Sequence, residues 1–111
     1  MSPRETVIRP GDRPVTLINI FEVNDESAQQ ELVDLLGEAT EQVMRHRPGF
    51  ISANLHTSLD GTRVVNYAQW RSREDFEATM ADPEAQRHMQ RASELAHAAP
   101  HLYAVVAVHH R

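Results

Sequence analysis

Asp60-Gly61-Thr62-Arg63-Val64-Val65-Asn66-Tyr67-Ala68-Gln69-Trp70 reads as a tight turn followed by a strand whose alternate positions carry an asparagine and the chain's only tryptophan. Just before it, Phe50 to Ser58 is a second strand-like run, so the two form a hairpin joined by Leu59-Asp60-Gly61. An x-Asp-Gly loop favours a type I turn followed by a left-handed glycine, which predicts a three-residue loop. Loop length fixes register. Pairing Ser58 with Thr62 sets His56 opposite Val64 and Asn54 opposite Asn66, so Ser52, Asn54, His56, Val64, Asn66, Ala68 and Trp70 are expected on one face. Ile51, Ala53, Leu55, Val65, Tyr67 and Gln69 then share the other.

Outward from the hairpin, Val15 to Val23 is rich in β-branched and aromatic residues and suits a strand. Its two faces, Val15-Leu17-Asn19-Phe21-Val23 and Thr16-Ile18-Ile20-Glu22, are both largely apolar, so both are expected to be covered. Ser27 and Gln30 have capping-box spacing ahead of a helix running to about Arg47, with Leu32, Leu35, Leu36, Ala39 and Val43 as its apolar stripe. Pro48-Gly49 ends it. Ser72 to Asp75 opens a short helix with Phe76 and Met80. Asp82-Pro83 caps the next, whose inward stripe is Ala85, His88, Met89, Ala92, Leu95 and Ala96. Leu102 to His109 is expected to be the last strand. The order βαββαβ predicts an α+β, ferredoxin-like fold: an antiparallel four-stranded sheet with helices on one face. Because the first strand needs both faces covered, the open face is expected to pack on a second copy, making a homodimer.

The chain has 111 residues, enough for one domain with its own core. Residues 1–13, with Pro3, Pro10 and Gly11, read as an arm, disordered or packed on a partner, and 14–111 as the domain. A mean hydropathy of -0.51 leaves no membrane-spanning run, and no secretory h-region is visible, so a cytoplasmic location is expected. The absence of cysteine removes disulfides, thiolate nucleophiles and iron–sulfur ligation. A formal net charge of -5 without any basic block argues against a nucleic-acid partner. His46 and His97 lie near helix ends, and His101, His109 and His110 by chain ends or turns. None forms an HxxxH or a His-x-Asp/Glu pair, so no protein metal site is expected. There is no dinucleotide, P-loop or nucleophile-elbow motif.

A face holding Asn54, His56, Asn66 and Trp70 is too polar for an ordinary core, since an unpartnered buried polar group costs roughly 1–3 kcal/mol. It implies a cavity between sheet and helices. Alternatively, the two asparagines bond each other across the hairpin and Trp70 fills core.

The segment Asp60 to Ser72, with Pro48-Gly49-Phe50-Ile51-Ser52-Ala53 ahead of it, resembles the antibiotic biosynthesis monooxygenase family of dimeric α+β barrels, and most of all its small cofactor-independent, quinone-forming members. The likeness runs more weakly from Val15 to Val108. The resemblance implies an enzyme that oxidises an aromatic, anthrone-type polyketide with O2 and no cofactor, with Asn66 and Trp70 catalytic and His56 as candidate base. Asn54, Asn19, Phe76, His88, Met89 and Arg87 would bind substrate. At Phe76 and Met89 the family's quinone-forming members carry a tyrosine and an arginine, which Arg87 or Arg91 would have to replace. Relatives that degrade haem place an asparagine near Asn19 and an iron-ligating histidine near His88, but their pocket tryptophan falls at Thr79 or Met80 here. A non-catalytic accessory dimer on the same fold is the third reading.

Overall fold

The structure, a computed structural model, describes residues 4–11 and 14–111. In chain order it contains β1 (Val15–Val23), α1 (Ala28–Gln42), a single 3-10 turn (Met44–His46), β2 (Phe50–Thr57), β3 (Arg63–Trp70), α2 (Arg73–Met80), α3 (Pro83–Leu95) and β4 (Ala96–Tyr103). The strands form one antiparallel sheet in the order β2-β3-β1-β4, the ferredoxin-like arrangement.

The helices cover the face that carries Leu17 and Phe21 of β1 and Val64, Ala68 and Trp70 of β3. Leu32, Leu35 and Leu36 of α1 bury their stripe there, packed with Phe21, Val64 and Ala92. Ser27 makes no side-chain cap; Asp25 instead accepts from its N–H and hydroxyl, at 3.0 and 3.1 Å. At α2 the expected cap forms, Ser72 Oγ accepting from the Asp75 N–H at 3.1 Å. At α3, Asp82 accepts from the N–H groups of Glu84 and Ala85, with Pro83 in the first turn.

Helix α1 ends at Gln42, short of the expected Arg47, and a 3-10 turn follows it; in the sheet, two expectations are overturned. The first is the hairpin register, in which β2 and β3 pair Thr57 with Val64, His56 with Val65, Leu55 with Asn66 and Asn54 with Tyr67. The loop holds one residue more than its Asp-Gly core implies. Ser58 closes it against Arg63, while Asp60 Oδ1 accepts from the Thr62 N–H and hydroxyl at 3.0 and 2.7 Å and draws Thr62 out of the strand. Gly61, at φ 79°, supplies the left-handed step. One added residue exchanges the faces of β2 relative to β3. Ala53 and Leu55 therefore share the helix-covered face with Asn66 and Trp70, and Ser52, Asn54 and His56 share the outer face with Val65, Tyr67 and Gln69.

The second is the last strand. It spans Ala96–Tyr103 and follows α3 without a linker, pairing Val23 with Ala96 and Thr16 with Tyr103. Helix α3 ends within reach of the start of the edge, so pairing begins at once and Val105 to Val108 lie beyond it. Pro100 is tolerated because β4 is an edge strand and has no outer ladder to donate to.

On the outer face, residues 4–11 lie against the sheet of their own chain. The Thr6 hydroxyl donates to Asn54 Oδ1 at 2.7 Å, and Gln69 Nε2 donates to the Val7 carbonyl at 2.8 Å. The expected arm thus has a docking place within the protomer; residues 1–3, 12 and 13 fall outside the described residues.

Candidate active site

Between the sheet and its helices lies a cavity of about 490 Å³. Its floor comes from β1 and β3, which contribute Leu17, Asn19, Asn66 and Trp70, and α1 to α3 roof it with Leu36, Phe76 and Met89 among others. β-Strand alternation explains this floor: Asn19 is paired with Asn66 and Val15 with Trp70, so all lie on one face. A bulge between Phe50 and Ser52 turns Phe50 onto that face as well. The Phe50 and Phe76 rings then hold Trp70 edge-on, at centroid distances of 5.4 and 5.9 Å.

Three buried side-chain polar atoms among the described residues lack a hydrogen-bond partner: Asn19 Oδ1, Asn66 Oδ1 and Trp70 Nε1. All three residues line the cavity. Leaving such groups unpaired costs about 1–3 kcal/mol each, a cost that structure alone does not explain and a polar ligand would remove. The remaining lining is predominantly apolar. Its solvent-exposed members are Ser93 on α3 and Ala98, Pro100 and His101 on β4, which places the mouth along that edge.

The sequence-expected residues divide between the two sides of the sheet. Asn19, Asn66, Trp70, Phe76 and Met89 line the cavity. Asn54 and His56 do not: the corrected register puts both on the outer face, where His56 is exposed and Asn54 bonds Thr6 and the Tyr67 carbonyl. The bond between Asn54 and Asn66 considered above is absent for the same reason. Arg87 and Arg91 are exposed on α3 and outside the lining. His88 is also outside it, its Nδ1 lying 3.0 Å from the Glu84 carbonyl one turn back. The histidine expected to ligate a haem iron is therefore not among the cavity residues. Thr40 and Ser93, not singled out by sequence, also line the cavity, each with its hydroxyl bonded to its own helix backbone. Only the helical geometry brings them there. Among the described residues no three His, Cys, Asp or Glu side chains converge as metal ligands, and no helix is long and apolar enough to cross a membrane.

A ferredoxin-like sheet enclosing an apolar cavity with a few unpaired polar groups defines the class: a small α+β protein with a site for a small molecule. The chain belongs to the antibiotic biosynthesis monooxygenase family, which matches residues 14–91. Tetracenomycin-F1 monooxygenase from Streptomyces glaucescens is 53% identical over 81 residues, 73% of this chain and 71% of that relative. The ActVA-Orf6 monooxygenase of Streptomyces coelicolor, solved with nanaomycin D, superposes with a TM-score of 0.78 at 29% identity, covering 87% of this chain and 91% of its own. SnoaB, a cofactor-independent oxygenase from Streptomyces nogalater, shares the fold at 24% identity, with a TM-score of 0.77 over 86% of this chain and 96% of its own. The chain is accordingly a monooxygenase.

Proposed function

We propose that this monooxygenase oxidises a phenolic, anthrone-type polyketide intermediate to the quinone with O2 and no cofactor, and that it works as a homodimer. The supporting observation is the convergence of Asn19, Asn66 and Trp70, each with an unpartnered buried polar atom, on one apolar cavity. A substrate methylene flanked by two aryl rings, and conjugated through them to the carbonyl across the central ring, loses a proton to give an electron-rich enolate. That enolate passes one electron to O2, and recombination forms a carbon–oxygen bond. The terminal peroxide oxygen takes up one proton, which balances the first; the second methylene proton is then removed as the O–O bond breaks and hydroxide departs, so methylene plus O2 gives carbonyl plus water. Because an asparagine amide presents either an N–H or an oxygen when it turns over, Asn66 and Asn19 can donate to the enolate oxygen, with the indole N–H beside them. His56 lies across the sheet and is not the base in this reading; water at the exposed mouth along β4 accepts the first proton.

Residues 14–111 are the working unit in this reading. A second copy covers the half of the outer face that residues 4–11 leave open, where Ile20 is 40% exposed.

Anaerobic mixing with dithranol, followed by air, tests the reaction. Quinone formation and oxygen uptake without added flavin or metal, much reduced in Asn66→Ala, are expected. Equal rates for wild type, variant and buffer would leave a non-catalytic binding protein.

A further inference from the structure

The Phe50 and Phe76 rings that hold Trp70 edge-on have no polar atom of their own, so their places depend on packing and on the backbone that carries them. The three stretches of backbone meet beside the cluster. Gly49, which precedes Phe50, accepts at its carbonyl from the N–H of Arg71, which follows Trp70, at 2.7 Å. Asp75, which precedes Phe76, takes the Arg71 guanidinium on both carboxylate oxygens, from Nε at 2.8 Å and from Nη2 at 3.0 Å, and accepts from the Ser72 hydroxyl at 2.9 Å. Gly49, at φ 85°, lies so close to Asp75 that a methyl group added there would overlap the carboxylate. Hydrogen bonds from Arg71 and then from Ser72 hold the Asp75 carboxyl below its ordinary range, so it is ionised at neutral pH.

We propose that Asp75 is a positioning residue for Trp70: its contacts with Gly49, Arg71 and Ser72 lock the backbone beside all three rings and so aim the indole N–H into the cavity. This rests on the proposed reaction drawing on that N–H. As a stability device the arrangement contributes little, because an i,i+4 ion pair with an exposed arginine is well solvated. Its role is geometric. A bidentate fork fixes direction as well as distance, and Gly49, Arg71 and Asp75 are each one residue from a ring, so a slip at the start of α2 passes to Phe76 and from there to the indole. A displaced indole still offers an apolar wall to a bound ring system but no longer points its donor at the reacting atoms. That loss falls on kcat rather than on KM.

Steady-state turnover of dithranol in a double-mutant cycle with Trp70→Phe tests the proposal. Asp75→Ala is expected to lower kcat by about three- to tenfold, no more than loss of the N–H itself, with KM within about twofold. In the Trp70→Phe background the same change should cost less than about twofold, because no N–H is left to misdirect. The emission of Trp70, the only tryptophan, should shift in Asp75→Ala while the urea midpoint moves little. An unchanged kcat, or an equal loss with and without the indole N–H, would overturn the proposal. If Asp75→Ala does not fold, Arg71→Ala, at an exposed side chain, enters the same cycle with the same expectations. Should the wild type fail to turn over dithranol, the oxygenase reading falls and the emission decides the rest: a shift in the variant sustains the positioning role, and an unchanged spectrum removes it.

Discussion

Asn19 on β1 and Asn66 on β3 are direct partners across the two central strands, and each buries a side-chain oxygen that bonds to nothing in the protein. In the proposed reaction, a pair placed so closely would act on one substrate atom or two adjacent ones. Asn19→Ala and Asn66→Ala should each lower kcat by about 10²–10³, the range for loss of one oxyanion donor, with the double variant little worse than the poorer single. Thermal midpoints should not fall, because no internal hydrogen bond is lost. Independent, multiplying losses in steady-state kinetics would mean that the two amides act separately.

Trp70 combines a wall and a donor. Trp70→Phe keeps an aromatic ring between Phe50 and Phe76 but removes the N–H, so activity should drop about tenfold, the value of one hydrogen bond, with a small change in urea midpoint. Trp70→Ala empties the centre of that cluster and should cost about 3–5 kcal/mol in denaturant unfolding.

His56 sits on the outer face, paired with Val65. His56→Ala should leave kcat/KM with dithranol unchanged within about twofold, as expected of an exposed residue away from the site. A large loss would restore this histidine as the base and require a different hairpin register.

The Asp60 carboxyl is held down to about 2 by hydrogen bonds from Thr62 and Ser58 in the hairpin loop. Since folding lowers its value from 3.8, its stabilising contribution is complete above that value and disappears as the pH falls through about 2. Asp60→Asn cannot take up that proton. Between pH 4 and 2, wild type should therefore lose more urea resistance than the variant. Parallel losses would remove Asp60 from the acid response.

The outer half-face around Ile20 should hold the second copy. Ile20→Asp should turn a dimer into a monomer in light scattering, with the fold retained by circular dichroism. An unchanged dimer would place the interface elsewhere.

Much of the fold was legible because its signals are local. The β1 strand itself, the Leu stripe of α1 and the Ser72 and Asp82 caps depend on neighbours a few residues away, and the shared face of Asn66 and Trp70 follows from the two-residue strand period. The hairpin register was not legible. It turned on whether Thr62 bonds Asp60 or joins β3, a choice between side-chain and ladder hydrogen bonds that the residue types leave nearly balanced. The last strand was misplaced for another reason. Val105 to Val108 have the stronger β propensity, but Ala96 to Tyr103 lie where α3 meets the free edge of β1, and tertiary position overrides preference. Resemblance to the family identified Asn19, which strand pattern alone left among the apolar residues of β1.

The two strands that carry Asn19, Asn66 and Trp70 are hydrogen-bonded on both flanks, whereas the exposed part of the cavity lining belongs to α3 and to β4, an edge strand bonded on one flank only. Chemistry and passage are thereby assigned to parts of the sheet with different local stability. The floor strands are paired on both sides, while the mouth borders a single free edge. A change at Ala98 or Pro100 therefore alters the mouth without touching a residue of the floor.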